Sequence, residues 1–301
     1  MKFFWGLFIF CFLISCGESI SFQKHSVKQP IVSEIITDKI FTAGIEGPAM
    51  NSKGDLFIVN FKEEGTIGVL RRDSSKFELF ITLPRGSVGN GIRFDANDNI
   101  FVADYKKHNI LCIEKGTKDV QVFCNNLFIS QPNDITLHKD GFGFASDPNW
   151  ENKSGNLLRF SKGKLEIIEK NMGTTNGIEL SPDGKKLYVN ESIQRRIWQY
   201  DVDLEGNLSN KQILTQFHDY GMDGMRCDQS GNIYLARYGK GVITIICKSG
   251  EILDEIPLHG EKPTNITFPK GNSKEIYVTI QDKKWVEKIT FHKGFLNPCK
   301  E

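Results

Sequence analysis

The chain has 301 residues, of which 25% are charged and 39% hydrophobic, ordinary values for a globular protein able to bury a sizeable core. Its 38 basic side chains against 37 acidic ones leave a net charge of +1, so no overall field draws it to nucleic acid or another polyanion.

The first residues depart from that composition. Met1-Lys2 is followed by an apolar run from Phe3 to Ile14, too short to span a bilayer and suited to the hydrophobic region of a signal peptide. Leu13-Ile14-Ser15-Cys16 resembles the lipobox of bacterial lipoproteins, which implies a signal over residues 1–15, lipidation of Cys16, and an exported protein anchored in the bacterial cell envelope. Residues 16–33 then read as a polar tether to the membrane, and residues 34–301 as the folded domain. An ordinary cleaved signal and a chance apolar start are the competing readings.

From Glu46 onward six segments repeat one pattern: a polar residue, a small residue or Asn, an apolar residue, a turn rich in Asp, Gly, Asn and Lys, then an apolar β-rich run. They open at Glu46, Asn90, Asn133, Asn176, Asp223 and Thr264, about 41–47 residues apart, and their β-rich runs end near Phe61, Tyr105, Pro148, Glu191, Tyr238 and Ile280. That period, with β-branched or alternating runs separated at hairpin distances by turns such as Ser181-Pro182-Asp183-Gly184, predicts four-stranded blades rather than helix pairs. No helix is predicted. The last unit stops after Trp285 to Phe291, one strand short, while an orphan β-like run, Glu34 to Phe41, precedes the first unit. The expectation is an all-β, six-bladed propeller whose ring is closed by that N-terminal strand completing blade six.

Five cysteines follow Cys11 and Cys16, so no complete disulfide framework emerges. Cys112 and Cys124 fall on expected hairpin neighbours, where a bond and two plain buried thiols are both open. The six histidines show neither metal spacing nor a nucleophile partner, and no glycine loop of phosphate-binding type precedes a helix.

The repeat-opening residues begin the innermost strands, so six side chains should meet around the central channel. All six carry oxygen. Carboxylate and amide oxygens without sulfur or imidazole suit a hard divalent cation such as Ca²⁺, and two carboxylates balance its charge. A ring of polar groups bonded to one another and to channel water is the alternative. Spacing does not say which of the six would bind metal.

Glu46-Gly47-Pro48, Pro132-Asn133-Asp134, the run from Asn176 to Gly184, Asp223-Gly224-Met225 with Asp228, and Lys262-Pro263-Thr264-Asn265 resemble the SMP-30/gluconolactonase/luciferin-regenerating-enzyme family. The resemblance implies a catalytic divalent ion, usually Ca²⁺ and in some members Zn²⁺ or Mn²⁺, held by Glu46, Asn133, Asn176 and Asp223. Asn90 and Thr264 become non-ligating neighbours. It implies hydrolysis of sugar lactones by a monomer acting on a small molecule, with Asp223 as the base; metal-bound hydroxide is the other source of the nucleophile. Asp134 either points the other way along its strand or orients a ligand. Gln131 stands where animal members carry a sugar-gripping Arg, so gluconolactone recognition is less secure. Trp150, in a loop over the expected pocket, either stacks on a sugar or is an exposed loop aromatic with no such role, and Arg237 and Tyr238 either line its mouth or, for Arg237, stand solvated. A related esterase or phosphotriesterase and a non-catalytic envelope binding propeller are the rival functions.

Overall fold

The computed structural model describes Met1 and residues 31–37, 39–270 and 274–291. These contain twenty-four strands, β1 to β24, and no helix. They form six four-stranded antiparallel sheets. Blades one to five are consecutive meanders running from the axis outward: β2 (Phe41–Met50) to β5 (Phe77–Thr82), β6 (Gly89–Phe94) to β9 (Val120–Asn125), β10 (Ile135–Leu137) to β13 (Lys164–Met172), β14 (Thr175–Leu180) to β17 (Leu208–Gln216), and β18 (Met225–Cys227) to β21 (Ile252–Pro257). Blade six consists of β22 (Pro263–Thr267), β23 (Glu275–Ile280), β24 (Trp285–Phe291) and β1 (Ile31–Ile35). The ring therefore closes as expected, with a shifted boundary. The closing strand is Ile31–Ile35, paired antiparallel with β24 from Ile31↔Phe291 to Ile35↔Glu287, whereas Phe41 already belongs to β2. Residues Ile31 to Ser33, read from sequence as tether, are thus part of the sheet. The signal run and Cys16 lie outside the described residues.

The core sits between blades. Each of six apolar clusters joins two neighbours: Val59, Val69 and Ile81 of blade one meet Ile92, Val102 and Leu111 of blade two, and Val286 of blade six packs with Phe41 and Ile58 of blade one. A second strand such as β3 (Leu56–Phe61) is buried on both faces, because a blade covers each side, while an outer strand such as β5 is largely open to solvent, with Ile81 as its buried residue. This is why the inner runs read as continuously apolar.

Cys112 and Cys124 are both free. They lie on paired strands, β8 (Asn109–Ile113) and β9, but Cys112 faces Gln121 and Cys124 faces Ile110, so neither thiol stands opposite the other. Cys247, which sequence left unassigned, is disulfide-bonded.

Candidate functional site

The inner strands carry register shifts at the site: between Phe41/Glu46 and Glu46/Ala49 in β2, Gly89/Ile92 in β6 and Thr175/Ile178 in β14. A bulge of this kind breaks the alternation, so residues three apart rather than two turn to the axis. The first layer is the set of repeat-opening residues. Glu46, Asn90, Asn133, Asn176, Asp223 and Thr264 all line one cavity of about 300 Å³, together with Gly44, Ile45, Trp150, Ser192, Tyr238 and Gln281. The glycine that follows four of the six opening positions, Gly47, Gly91, Gly177 and Gly224, keeps the strands close. A Cβ on Gly47, whose φ is 60°, would stand 2.0 Å from the Asn90 carbonyl, and one on Gly224 would meet the Asn265 side chain at the same distance.

Glu46 is buried, and burial together with the charge of Asp134 pushes its carboxyl up to about 7. Burial and the charge of Glu46 push Asp223 well above the usual carboxylate range, although Asn176 donates to it. Two carboxylates facing one cavity, each raised by the other's charge or by a neighbouring one, resist double ionisation. Beside them, the Oδ1 atoms of Asn133 and Asn176 are buried without any hydrogen-bond partner. Such oxygens are costly to leave unmatched. Asn90 differs, since its amide donates to the Asn133 carbonyl at 3.2 Å, and the Thr264 hydroxyl is taken up by the Ile45 carbonyl at 3.0 Å and the Thr279 hydroxyl at 2.7 Å. Four of the six oxygen-bearing side chains thus offer acceptors to a ligand. Their mixed composition, two carboxylates and two amides, is why no group of three or more His, Cys, Asp or Glu suited to a metal occurs among the described residues.

A second layer lies along the axis. Arg93 and Arg226 each reach Asp134 at 3.1 Å, and Arg93 also reaches Glu179 at 3.0 Å. Burial alone would raise Asp134, but Arg226 and Arg93 hold it below the usual range. Asp134 therefore turns away from the cavity. It still communicates with the first layer, because the Asn265 amide donates to Glu46 at 3.0 Å and lies 3.4 Å from Asp134. Sequence reasoning missed Arg93, Glu179 and Arg226, although each stands three residues after a repeat-opening position.

Two expected substrate contacts are placed elsewhere. Gln131 is not on the cavity wall; its backbone N–H donates to Asp147 at 2.6 Å. Arg237 is fully buried over the ring of Phe217, 3.8 Å from its centre, and donates to the Asp219 carboxylate at 2.6 Å and carbonyl at 2.8 Å. It holds the loop that leads into Asp223, whose backbone N–H in turn donates to Ala236 at 2.9 Å. Trp150 and Tyr238 do line the cavity. A larger hollow of about 420 Å³ on the flank of blade four, between Arg159, Glu169 and Lys211, brings none of the acceptor convergence seen at the axis.

Residues 46–282 match the profile described as SMP-30/Gluconolactonase/LRE-like region. The chain belongs to that family. The gluconolactonase of Zymomonas mobilis is 30% identical over 189 residues, covering 54% of this chain but only 52% of that enzyme. The chain thus aligns with about half the length of that relative. The diisopropyl-fluorophosphatase of Loligo vulgaris is 26% identical over 306 residues, covering 89% of this chain and 94% of the relative. Among solved structures, the calcium-binding protein regucalcin of Agrobacterium tumefaciens superposes with a TM-score of 0.75 at 19% identity, over 91% of this chain and 98% of that one, which fixes the shared propeller fold.

Proposed function

We propose that this member of the SMP-30/gluconolactonase family is a metal-dependent hydrolase that opens a lactone. One observation carries the reading. A buried carboxylate, Glu46, a half-buried one, Asp223, and two orphaned amide oxygens, on Asn133 and Asn176, converge on a single cavity. The set fits a hard divalent cation, most simply Ca²⁺, with Zn²⁺ or Mn²⁺ as alternatives. When bound, such an ion supplies Lewis-acid polarisation of the carbonyl and charge for the developing oxyanion. The chain supplies the rest. Asp223, partly exposed to the cavity, takes the proton of the attacking water. Asn265 fixes the Glu46 carboxylate, and Arg237 fixes the loop before Asp223. Tyr238 donates to Gln281 at 2.5 Å, which leaves the remaining Gln281 amide and the Ser192 region to orient the ring. The similarity to the squid fluorophosphatase along nearly its whole length favours one second reading, hydrolysis of a phosphotriester or related ester by the same residues.

A pH-stat assay over lactones, aryl esters and phosphotriesters tests both. The expected result is lactone opening that EDTA abolishes and added Ca²⁺, Zn²⁺ or Mn²⁺ restores, with Asp223→Asn folded but slower by at least a hundredfold. Turnover confined to phosphotriesters selects the second reading, and full activity in Asp223→Asn overturns the assigned base. Export with a lipid at Cys16 belongs to the same proposal; loss of membrane association in Cys16→Ser tests it.

A further inference from the structure

In each blade the inner strand starts at the cavity end and the second strand returns to it. The hairpins joining second to third strands, and the connections from outer strand to next inner strand, therefore form the rim around the cavity mouth. The rim is uneven. Over blades three to five it exposes Leu127 (74%), Phe128 (91%), Trp150 (43%), Ile193 (40%) and Tyr220 (52%), interspersed with the exposed Glu151, Lys153, Arg195, His218 and Asp219. The other arc, over blades six, one and two, exposes Lys62, Glu63, Arg85, Lys106, Lys107 and Lys284.

The loops of this arc are tied to one another by hydrogen bonds. Asn149, next to Trp150, donates to Ser130 in the loop of Leu127 and Phe128 at 3.5 Å. Gln194, next to Ile193, donates to the Lys153 carbonyl in the Trp150 loop at 2.9 Å. The Ser192 hydroxyl donates to the Met222 carbonyl in the Tyr220 loop, and the Tyr220 ring comes within 3.4 Å of the Cβ position of Gly239. The arc also runs into the cavity, because Trp150 belongs to both, and Ser192 and Tyr238 line the wall beside Ile193 and Gly239. No Arg, Lys or His is among the residues on that wall. Exposed apolar surface so gathered and so joined to a cleft is a binding surface.

From the place of Trp150 in both rim and cavity, and from a wall whose charged side chains are the carboxylates of Glu46 and Asp223, we infer that the preferred substrate is a neutral lactone bearing an apolar substituent. The ring enters the polar cavity and the substituent lies along Trp150 towards Phe128. The inference rests on the lactonase reading for its head group and goes beyond it for the tail. A fully hydroxylated sugar ring would leave the exposed apolar side chains without a partner, and an anionic substrate would find no cationic side chain at the wall and two carboxylates on it.

The test uses the full chain and two ladders: δ-lactones with C5-alkyl chains of zero to six carbons, followed by kcat/KM, and the matching non-hydrolysable δ-lactams, followed by tryptophan fluorescence. Affinity for the lactams should rise about twofold to fourfold per methylene, the upper figure corresponding to complete burial. The double substitution Leu127→Ser with Phe128→Ser should flatten both ladders while leaving the unsubstituted ring unchanged. Flat ladders with glucono-δ-lactone preferred would overturn the inference and keep the lactonase. A rising lactam ladder without lactone turnover would keep the apolar tail site and remove the lactonase. A flat lactam ladder, with the double variant instead losing binding to phosphatidylglycerol vesicles, would overturn it in favour of a membrane-facing rim.

Discussion

Asp134→Asn removes the charge at the centre of the channel while keeping the shape of the side chain. Two buried guanidiniums depend on that charge, Arg93 and Arg226, each 3.1 Å away. Arg93 keeps Glu179 at 3.0 Å, whereas Arg226 has no second carboxylate within ion-pair distance, so the loss is that of one buried pair rather than two. Breaking one partner of such a pair costs about 3–5 kcal/mol, and the lower end, about 3, applies here. In a single domain of this size 1 kcal/mol lowers Tm by about 2–4 °C, which gives a drop of about 6–12 °C. Thermal unfolding followed by circular dichroism reads it directly. Arg226→Met in the Asp134→Asn background should recover part of the loss, because it removes the stranded cation. A drop under about 2 °C, or no recovery in the double variant, would refute the placement of these charges.

Two further outcomes follow from the fold. Asp98 joins blade one to blade two by accepting from the Ser52 backbone N–H at 2.9 Å, the Ser52 hydroxyl and Lys115 at 3.1 Å; burial opposes its charge, but these donors hold its pKa down at about 2, against 3.8 for the free side chain. A carboxyl depressed on folding stabilises above its unfolded pKa and ceases to do so as pH falls through the folded one. Asp98→Asn should therefore cost about 1–2 kcal/mol at pH 7 in urea titrations, with the difference from the parent closing between about pH 4 and pH 2; a difference independent of pH would count against it. Deleting residues 31–35 should bare the edge of β24, release Glu287 from Ser33, and replace one sharp melting transition by a broad one, whereas an unchanged melt would show that blade six closes without β1.

The propeller was legible because the repeat period and the turn chemistry pointed the same way, and the first channel layer was legible because one register fixed all six positions. The second layer was not. Arg93, Glu179 and Arg226 stand three residues further on, and ordinary strand alternation would have placed them off the axis; register shifts in β6 and β14 bring Arg93 and Glu179 to it, and Asp223 lies ahead of the regular ladder of β18 that carries Arg226. Arg237 misled for a related reason, since a strand-end Arg reads as solvent-facing, and nothing in the sequence announces that Phe217 and Asp219 enclose it. The start of β1 was misplaced because a closing strand paired on one side has weak apolar alternation and borders polar sequence. The rim depends on hairpin loops brought together around the ring, a proximity that no local pattern encodes.

Lactone hydrolysis at this site depends on Glu46, Asn133, Asn176 and Asp223 holding a divalent ion. Isothermal titration of Ca²⁺ and Mn²⁺ into EDTA-stripped protein measures this without reference to any substrate. One ion per chain should bind, with affinity at least tenfold weaker in both Asn133→Ala and Asn176→Ala, since each removes an oxygen that otherwise has no partner. Failure of the parent protein to bind either ion, or unchanged binding in both variants, would contradict it.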